Sequence, residues 1–485
     1  MKLNFKAIIS ILGLLLMLNG GFMLLCLPVS LYFRDGEWRS LLMASLLTFG
    51  VGAAGYFLTK SKTNGGLSKR DGYLVVSLGW LCMSAFGTLP YILSGEIPNF
   101  TDAFFETLSG YTTTGASILN DIEAMGEGIL MWRSLTQWIG GMGIIVLTVA
   151  ILPLLGIGGM QLFVAEAPGV TPDKLKPRIT DTAKRLWLIY LGLTVLEAIL
   201  LKLGGMSLFD AVNHSLTTMA TGGFSTRQAS IAYFTSPFIQ YVIIVFMFLA
   251  GTNFTLTYFA LHGQWKKVFN NEEFKYYFGF TLAFGLLIAA VVYMVSDHTV
   301  EVAFRNALFQ IVSIVTTTGF VTADYTSWAP LLTVVFFMFM FIGASAGSTA
   351  GGVKVVRHVI LLKNSILELR RQIHPNAVLP VRLNSMAISS DITFNIMAFM
   401  IIYFMVFAMG ATLLSALGYD FNTSIGAVAT CLGNIGPGIG KVGPMDNFAS
   451  ISAAGKWILS FLMLLGRLEL FTVLILFTPY FWTKH

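Results

Sequence analysis

The residues best placed to do chemistry lie in four short segments: Ser109-Gly-Tyr-Thr-Thr-Thr-Gly115-Ala-Ser, Thr217-Thr-Met-Ala-Thr-Gly222-Gly-Phe-Ser, Ile314-Val-Thr-Thr-Thr-Gly319-Phe-Val and Ala429-Thr-Cys-Leu-Gly433-Asn-Ile. Aligned on Gly115, Gly222, Gly319 and Gly433, they recur at intervals of 107, 97 and 114 residues, the mark of an internal repeat. What they offer is backbone. Glycine permits the dihedral angles that turn successive carbonyls the same way. Rings of such carbonyls can replace the hydration shell of a potassium ion. The expected ion-binding residues are Thr112, Thr113, Thr114 and Gly115; Met219, Ala220, Thr221 and Gly222; Thr316, Thr317, Thr318 and Gly319; and Thr430, Cys431, Leu432, Gly433 and Asn434. One aligned filter glycine per repeat, where a potassium-channel filter has two, points to fewer carbonyl rings and looser selectivity among large alkali ions.

Irregular backbone of this kind is tolerated at membrane depth only inside protein or beside a wet cavity, so each segment needs a holder. A short amphipathic stretch precedes each one. These stretches open near Thr101-Asp102, Ser207 with Asp210, Thr299 with Glu301, and Asp420 with Asn422. Such residues cap the free N–H groups of a helix start. A helix this short cannot cross a bilayer; it enters and returns, with its partly negative C-terminal end aimed at the Thr/Gly segment. Four such ends on one axis favour a cation.

The composition fits. Of 485 residues, 55% are hydrophobic and only 11% charged, against about 25% charged in a soluble domain. Runs long enough to cross occur at roughly 7–33, 40–59, 72–94, 132–155, 186–204, 237–262, 276–296, 329–346, 391–417 and 455–482. Basic residues cluster in alternate connections: Lys60, Lys62, Lys69 and Arg70; Lys174, Lys176, Arg178, Lys184 and Arg185; Lys266, Lys267 and Lys275; and Lys354, Arg357, Lys363, Arg370, Arg371 and Arg382. Ten crossings with both termini cytoplasmic put every cluster on one side. That explains the net charge of +6 without a nucleic-acid partner. The first run is too long for a signal-peptide core and is read as a retained span. Three scattered cysteines and six dispersed histidines indicate neither a disulfide framework nor a zinc site. No catalytic cluster is evident, so no enzyme is expected. Gly438-Ile-Gly440-Lys-Val-Gly443 has dinucleotide-fingerprint spacing but lacks the required βαβ context, and is read as a turn.

The second span of each unit has its own small-residue break: Gly140-Gly141-Met-Gly143, Gly251-Thr-Asn253, the run from Gly343 through Gly347 to Gly351 and Gly352, and Gly466-Arg467. The third break is either an irregular loop lining a cavity or a close helix contact through small residues. Arg467, deep in an apolar span, must face water or a partner; Glu469 and the carbonyls of residues 343–352 are the structural alternatives to a pore-facing position. Glu197 is expected in a structural pair or in helix packing.

The four segments and their flanking spans resemble the Trk/Ktr/HKT superfamily of potassium transporters. The likeness to its TrkH-type members extends over nearly the whole chain. It implies an all-α integral membrane fold: four pseudo-symmetric span–pore-loop–span repeats around one central pore, plus two extra N-terminal transmembrane helices. Residues 1–70 would supply the extra helices, and 71–165, 166–265, 266–375 and 376–485 the repeats. In plant relatives, serine at the first filter-glycine position goes with sodium permeation; glycine at all four positions favours potassium. The resemblance also implies a mobile gating loop around Gly343, Gly347, Gly351 and Gly352, and an Arg467 that projects into the pore beneath the filter. The expected function is potassium uptake across the bacterial inner membrane through a gated single-chain pore. Proton- or sodium-coupled symport is the alternative, and a non-conducting scaffold or sensor is the alternative of another class. Potassium would be substrate, with no cofactor in this chain. Expected partners are membrane lipid, a second copy in a homodimer, and a cytosolic nucleotide-binding RCK/KTN subunit of the TrkA type, docked on the basic connections 354–382 and 165–185.

Overall fold

The computed structural model describes residues 3–59, 68–143 and 179–483. Lys60, Lys62, Lys174, Lys176, Arg178 and the end of the run 132–155 lie outside the described residues.

Six described helices are long and apolar enough to cross a membrane: Phe5–Phe33, Trp38–Thr59, Lys69–Ser94, Ala183–Leu203, Glu272–Val295 and Ser390–Ala416. Their outer faces expose large apolar side chains such as Leu46, Leu286, Leu287 and Met405, as a surface against lipid requires. The first two pack antiparallel through glycine. A Cβ added at Gly13 would lie 2.6 Å from the Gly52 carbonyl oxygen, and one at Gly52 would lie 2.6 Å from that of Gly13, a small-residue contact of membrane type.

Each of the last three of these helices, and the Lys69–Ser94 helix, is followed by a short helix that cannot span: Phe100–Tyr111, Leu208–Met219, Val300–Val315 and Phe421–Gly433. Capping starts each one. Ser207 accepts from Asp210 N (2.9 Å), Thr299 from Val302 N (3.4 Å) and Asp420 from Thr423 N (3.1 Å). In the first repeat the cap is Asn99, which accepts from Thr101 N (2.8 Å). Asp102 sits in the first turn and pairs with Lys456 at 2.7 Å.

The second spans are interrupted, as their small-residue breaks suggest. Glu127–Gly141, Pro237–Ala250, Pro330–Phe339 and Ala453–Arg467 contain 15, 14, 10 and 15 residues. At about 1.5 Å per residue they fall short of the ~30 Å hydrocarbon core. The second span resumes as Phe254–Leu261 after a bend of 109°, and the fourth as Phe471–Phe477 after 112°. Helical geometry stops at the small-residue breaks. At the second break, Asn253 starts the new helix by accepting from Thr255 N at 2.8 Å. In the third repeat the helix ends at Phe339, and an irregular segment runs to Lys354 before helix Val355–Ile373 begins.

Residues near the two chain ends meet at one end of the bundle. Asn4 N donates to Asp71 Oδ1 and Arg70 Nη1 to the Thr483 carbonyl, each at 3.0 Å. Glu197 is fully buried on helix Ile179–Leu203, packed among its neighbours with Thr218 of the second short helix beside its carboxyl group. Helix packing, one of its two expected roles, is what is observed. The Gly438–Gly443 stretch is a turn, closed by Gly438 N donating to the Val442 carbonyl at 2.7 Å.

Candidate functional site

Past each short helix the backbone turns through a left-handed residue. These are Thr113, Thr221, Thr317 and Asn434, at φ of 53°, 52°, 56° and 54°. For β-branched threonine this is a genuine outlier, with strain on the order of 1–3 kcal/mol that persists only where surrounding structure enforces it. Two residues on, Gly115, Gly223, Gly319 and Gly436 again have positive φ, at 77°, 76°, 79° and 101°. The helix-end hydrogen bonds keep the same register. Thr113 N donates to Gly110 O, Thr221 N to Thr218 O, Thr317 N to Ile314 O and Asn434 N to Cys431 O.

That register corrects two of the four sequence alignments. Gly222 occupies the place of Thr114, and Gly433 ends its helix in the place of Thr112. The equivalents of Gly115 are Gly223 and Gly436. Met219 and Ala220 match Tyr111 and Thr112, while Thr430, Cys431 and Leu432 belong to the last helical turn. The fourth helix runs further along its sequence because Asn434, a residue that tolerates the left-handed region, makes the exit. The pair Gly223-Phe224, matching Gly319-Phe320, carried the signal for the second repeat.

In this register the four loops form a closed ring. A Cβ on Gly115 would lie 2.2 Å from the Gly222 carbonyl oxygen, and one on Gly223 would lie 2.0 Å from that of Thr318. One on Gly319 would lie 1.9 Å from the Ile435 oxygen, and one on Gly436 would lie 2.8 Å from that of Thr114. Each glycine therefore abuts the carbonyl just before the next repeat's glycine, in the order one, two, three, four and back to one. All four glycines line one cavity, together with Arg227 and Asp446.

Buried polar groups hold the ring from behind. The Glu106 carboxylate accepts from Arg133 Nε (2.7 Å), Ser117 Oγ (3.0 Å) and Ile118 N (2.9 Å). Arg133 Nη1 reaches the Ser225 carbonyl in the second loop at 2.9 Å, with the guanidinium 3.6 Å from the Phe224 ring centroid. Removing one partner of a buried ion pair such as this leaves the other charge uncompensated, at a cost of about 3–5 kcal/mol. Asn434 Nδ2 donates to Thr114 Oγ1 at 3.0 Å and to Met463 O at 2.9 Å, tying the fourth loop to the first.

Beneath the ring lies the segment 343–354. Gly343 N donates to Val353 O at 2.7 Å, closing its neck. Gly351 N donates to Thr317 Oγ1 at 2.7 Å, and Thr349 Oγ1 to the Met219 carbonyl at 3.0 Å. The Gly347 carbonyl accepts from Phe254 N at 3.0 Å. A Cβ on Gly352 would lie 3.3 Å from Gly433 O. The segment thus touches the lower ends of the second, third and fourth loops. Arg467 completes the layer at the first. It donates to Thr113 Oγ1 (3.0 Å), to the Thr349 carbonyl (2.8 Å), and to the carbonyls of Gly140 and Gly141. Lys354 Nζ donates to the carbonyls of Ala350 and Gly351. Glu469, considered from sequence as a partner for Arg467, pairs instead with Arg357 on the helix that follows the segment.

Residues 40–484 match the family described as TrkH: Cation transport protein. The chain is 43% identical to the Trk system potassium uptake protein TrkH of Salmonella typhimurium, over 99% of this chain and all of that one. It is equally close to the Escherichia coli K12 protein of that name, at 43% identity over the same shares of the two chains. The solved structure of the potassium transporter TrkH from Vibrio parahaemolyticus superposes with a TM-score of 0.89 at 39% identity, covering 99% of this chain and 100% of that one. With the four-loop ring, the broken second spans and these likenesses together, the chain belongs to the TrkH family of cation transport proteins.

Proposed function

We propose that this chain carries out potassium uptake through a single pore on the axis of the four loops. The observation that carries this reading is the closed ring in which each loop glycine meets the next loop's carbonyl oxygen. A monovalent cation shedding water on that axis exchanges hydration oxygens for main-chain oxygens. The C-terminal ends of four converging helices add a favourable field. The reading assigns ion contact to the carbonyls around Thr112–Gly115, Ala220–Gly223, Thr316–Gly319 and Gly433–Gly436. Segment 343–354 and Arg467 form the barrier below. Movement is driven by the membrane potential, about 2.3 kcal/mol per charge per 100 mV.

The same reading divides the chain into two extra helices (1–70) and repeats at 71–165, 166–265, 266–375 and 376–485. It places the chain in the bacterial inner membrane with both termini cytoplasmic, in keeping with the basic connections. It includes a homodimer and a cytosolic RCK/KTN partner. The basic connection 354–382 is one docking surface for that partner; on its helix Val355–Ile373, Leu369, Arg370 and Ile373 are exposed. The other candidate surface lies largely outside the described residues.

The purified chain in liposomes under an inside-negative potential is expected to take up rubidium, and external potassium is expected to compete. Uptake that survives collapse of proton and sodium gradients identifies a channel; uptake that stops with either gradient identifies symport. Uptake no greater than in protein-free liposomes, with and without cytosolic extract, contradicts the transport reading.

A further inference from the structure

Taking the four loops as a potassium filter, we propose that Gln137 is a positioning residue for selectivity, standing in for a side chain the second loop lacks. The first and third loops carry paired hydroxyls, Thr112 with Thr114 at 2.7 Å and Thr316 with Thr318 at 2.8 Å. The second loop has Ala220 and Gly222 at those two positions, and no hydroxyl to pair. The vacant place is filled from another repeat. A Cβ on Gly222 would lie 2.4 Å from both Cδ and Oε1 of Gln137 and 2.8 Å from its Nε2, and these are its three nearest atoms.

Gln137 comes from Glu127–Gly141, the second span of the first repeat, and is fully buried. Its Nε2 donates to the Gly222 carbonyl at 2.6 Å, and its Oε1 accepts from Phe224 N at 3.0 Å. One amide therefore holds the backbone on both sides of Gly223. The Gly222 oxygen is also the ring oxygen that faces Gly115. A carbonyl oxygen has two lone pairs; one is engaged by Gln137 and the other remains for the ion. Without the amide, this quarter of the ring has neither a hydroxyl pair nor a donor to fix its oxygen. The proposal takes the snug-fit view of carbonyl filters, in which ring oxygens held in place do not collapse onto a smaller ion.

The test exploits the complementarity. Gly222 does not have positive φ, and the Gln137 side chain supplies the nearest atoms to a substituent there. Gln137→Met keeps the volume and loses both hydrogen bonds. Gln137→Ala empties the place. Gly222→Thr alone clashes with Gln137. The double variant Gln137→Ala with Gly222→Thr supplies at 222 the hydroxyl that the first and third loops carry at Thr114 and Thr318, while position 220 stays alanine. Each single variant is expected to lower the potassium-to-sodium permeability ratio in liposomes about tenfold, the scale of one or two buried hydrogen bonds. The double variant is expected to return to within about threefold of the parent chain, because the new hydroxyl fills the place the amide leaves and meets no clash there. An unchanged ratio in Gln137→Met, or a double variant no more selective than the worse single, overturns the proposal. If no single variant assembles, the double decides: folded and selective supports it, unfolded or unselective overturns it. A parent chain that does not conduct at all contradicts the transport reading itself, a separate outcome.

Discussion

Gly319→Ser is expected to lower the potassium-to-sodium permeability ratio by tenfold or more while rubidium uptake continues. Two effects add at this position. The backbone sits at φ of 79°, and the new Cβ would start 1.9 Å from the Ile435 oxygen and 2.8 Å from Pro437 Cδ. Relief requires the third or the fourth loop to move, and both carry ring oxygens. Strain on the order of 1–3 kcal/mol, partitioned unequally between sites for the two ions, corresponds to about tenfold per 1.4 kcal/mol. A paired comparison tests the register of the fourth loop. Gly436→Ser is expected to behave like Gly319→Ser, because Gly436 has φ of 101° and an added Cβ would lie 2.8 Å from Thr114 O. Gly433→Ala is expected to change the ratio by less than about threefold, because Gly433 is helical and an alanine there favours helix; its nearest contacts are at 3.0 Å. Ratios measured from reversal potentials in planar bilayers separate these cases. A selective Gly319→Ser, or a Gly433→Ala worse than Gly436→Ser, contradicts the assigned ring.

Arg467→Ala is expected to raise unstimulated rubidium flux about tenfold or more, with the potassium-to-sodium ratio within about twofold of the parent chain. Arg467 joins three parts of the barrier: Thr113 at the foot of the first loop, Thr349 in the segment below, and the Gly140–Gly141 break of the first repeat. Hydrogen bonds to a charged donor contribute about 1.5–3 kcal/mol each. Removing them frees the segment from the first repeat. Removing the charge also lowers the repulsion of a cation leaving the ring, about 4 kcal/mol for unit charges 4 Å apart at an effective dielectric of 20. Arg467→Lys, which keeps the charge but not the fork of donors, is expected to fall between the two. Flux in Arg467→Ala equal to that of the parent chain means that the residue braces the fold without gating. The ratio must hold because the ring oxygens are not Arg467 partners.

Local chemistry made much of this legible in the sequence. Repeated Thr/Gly segments, capping residues ahead of short helices and long apolar runs each act over a few residues. The caps Ser207, Thr299 and Asp420 form where composition placed them. The register was less legible, because two adjacent glycines, Gly222 and Gly223, look alike until backbone angles distinguish them. In the fourth repeat an asparagine took the left-handed position that threonine holds in the other three. The broken spans were partly hidden too. Apolar composition continues straight through the bends at 109° and 112°, and only the small residues hint at them. Least legible were contacts between distant repeats: Gln137 on the second loop, Arg133 on Ser225, Arg467 on the first and third repeats. Each joins residues at least 85 positions apart, and spacing within a repeat says nothing about them.

The central claim is that one cation stands among the carbonyl oxygens of Thr114, Gly222, Thr318 and Ile435. Anomalous diffraction from crystals grown in rubidium tests it directly. The expected result is a rubidium peak on the axis between those oxygens, weakened when sodium replaces rubidium. Rubidium bound elsewhere in the molecule, with no peak inside the ring, would contradict it.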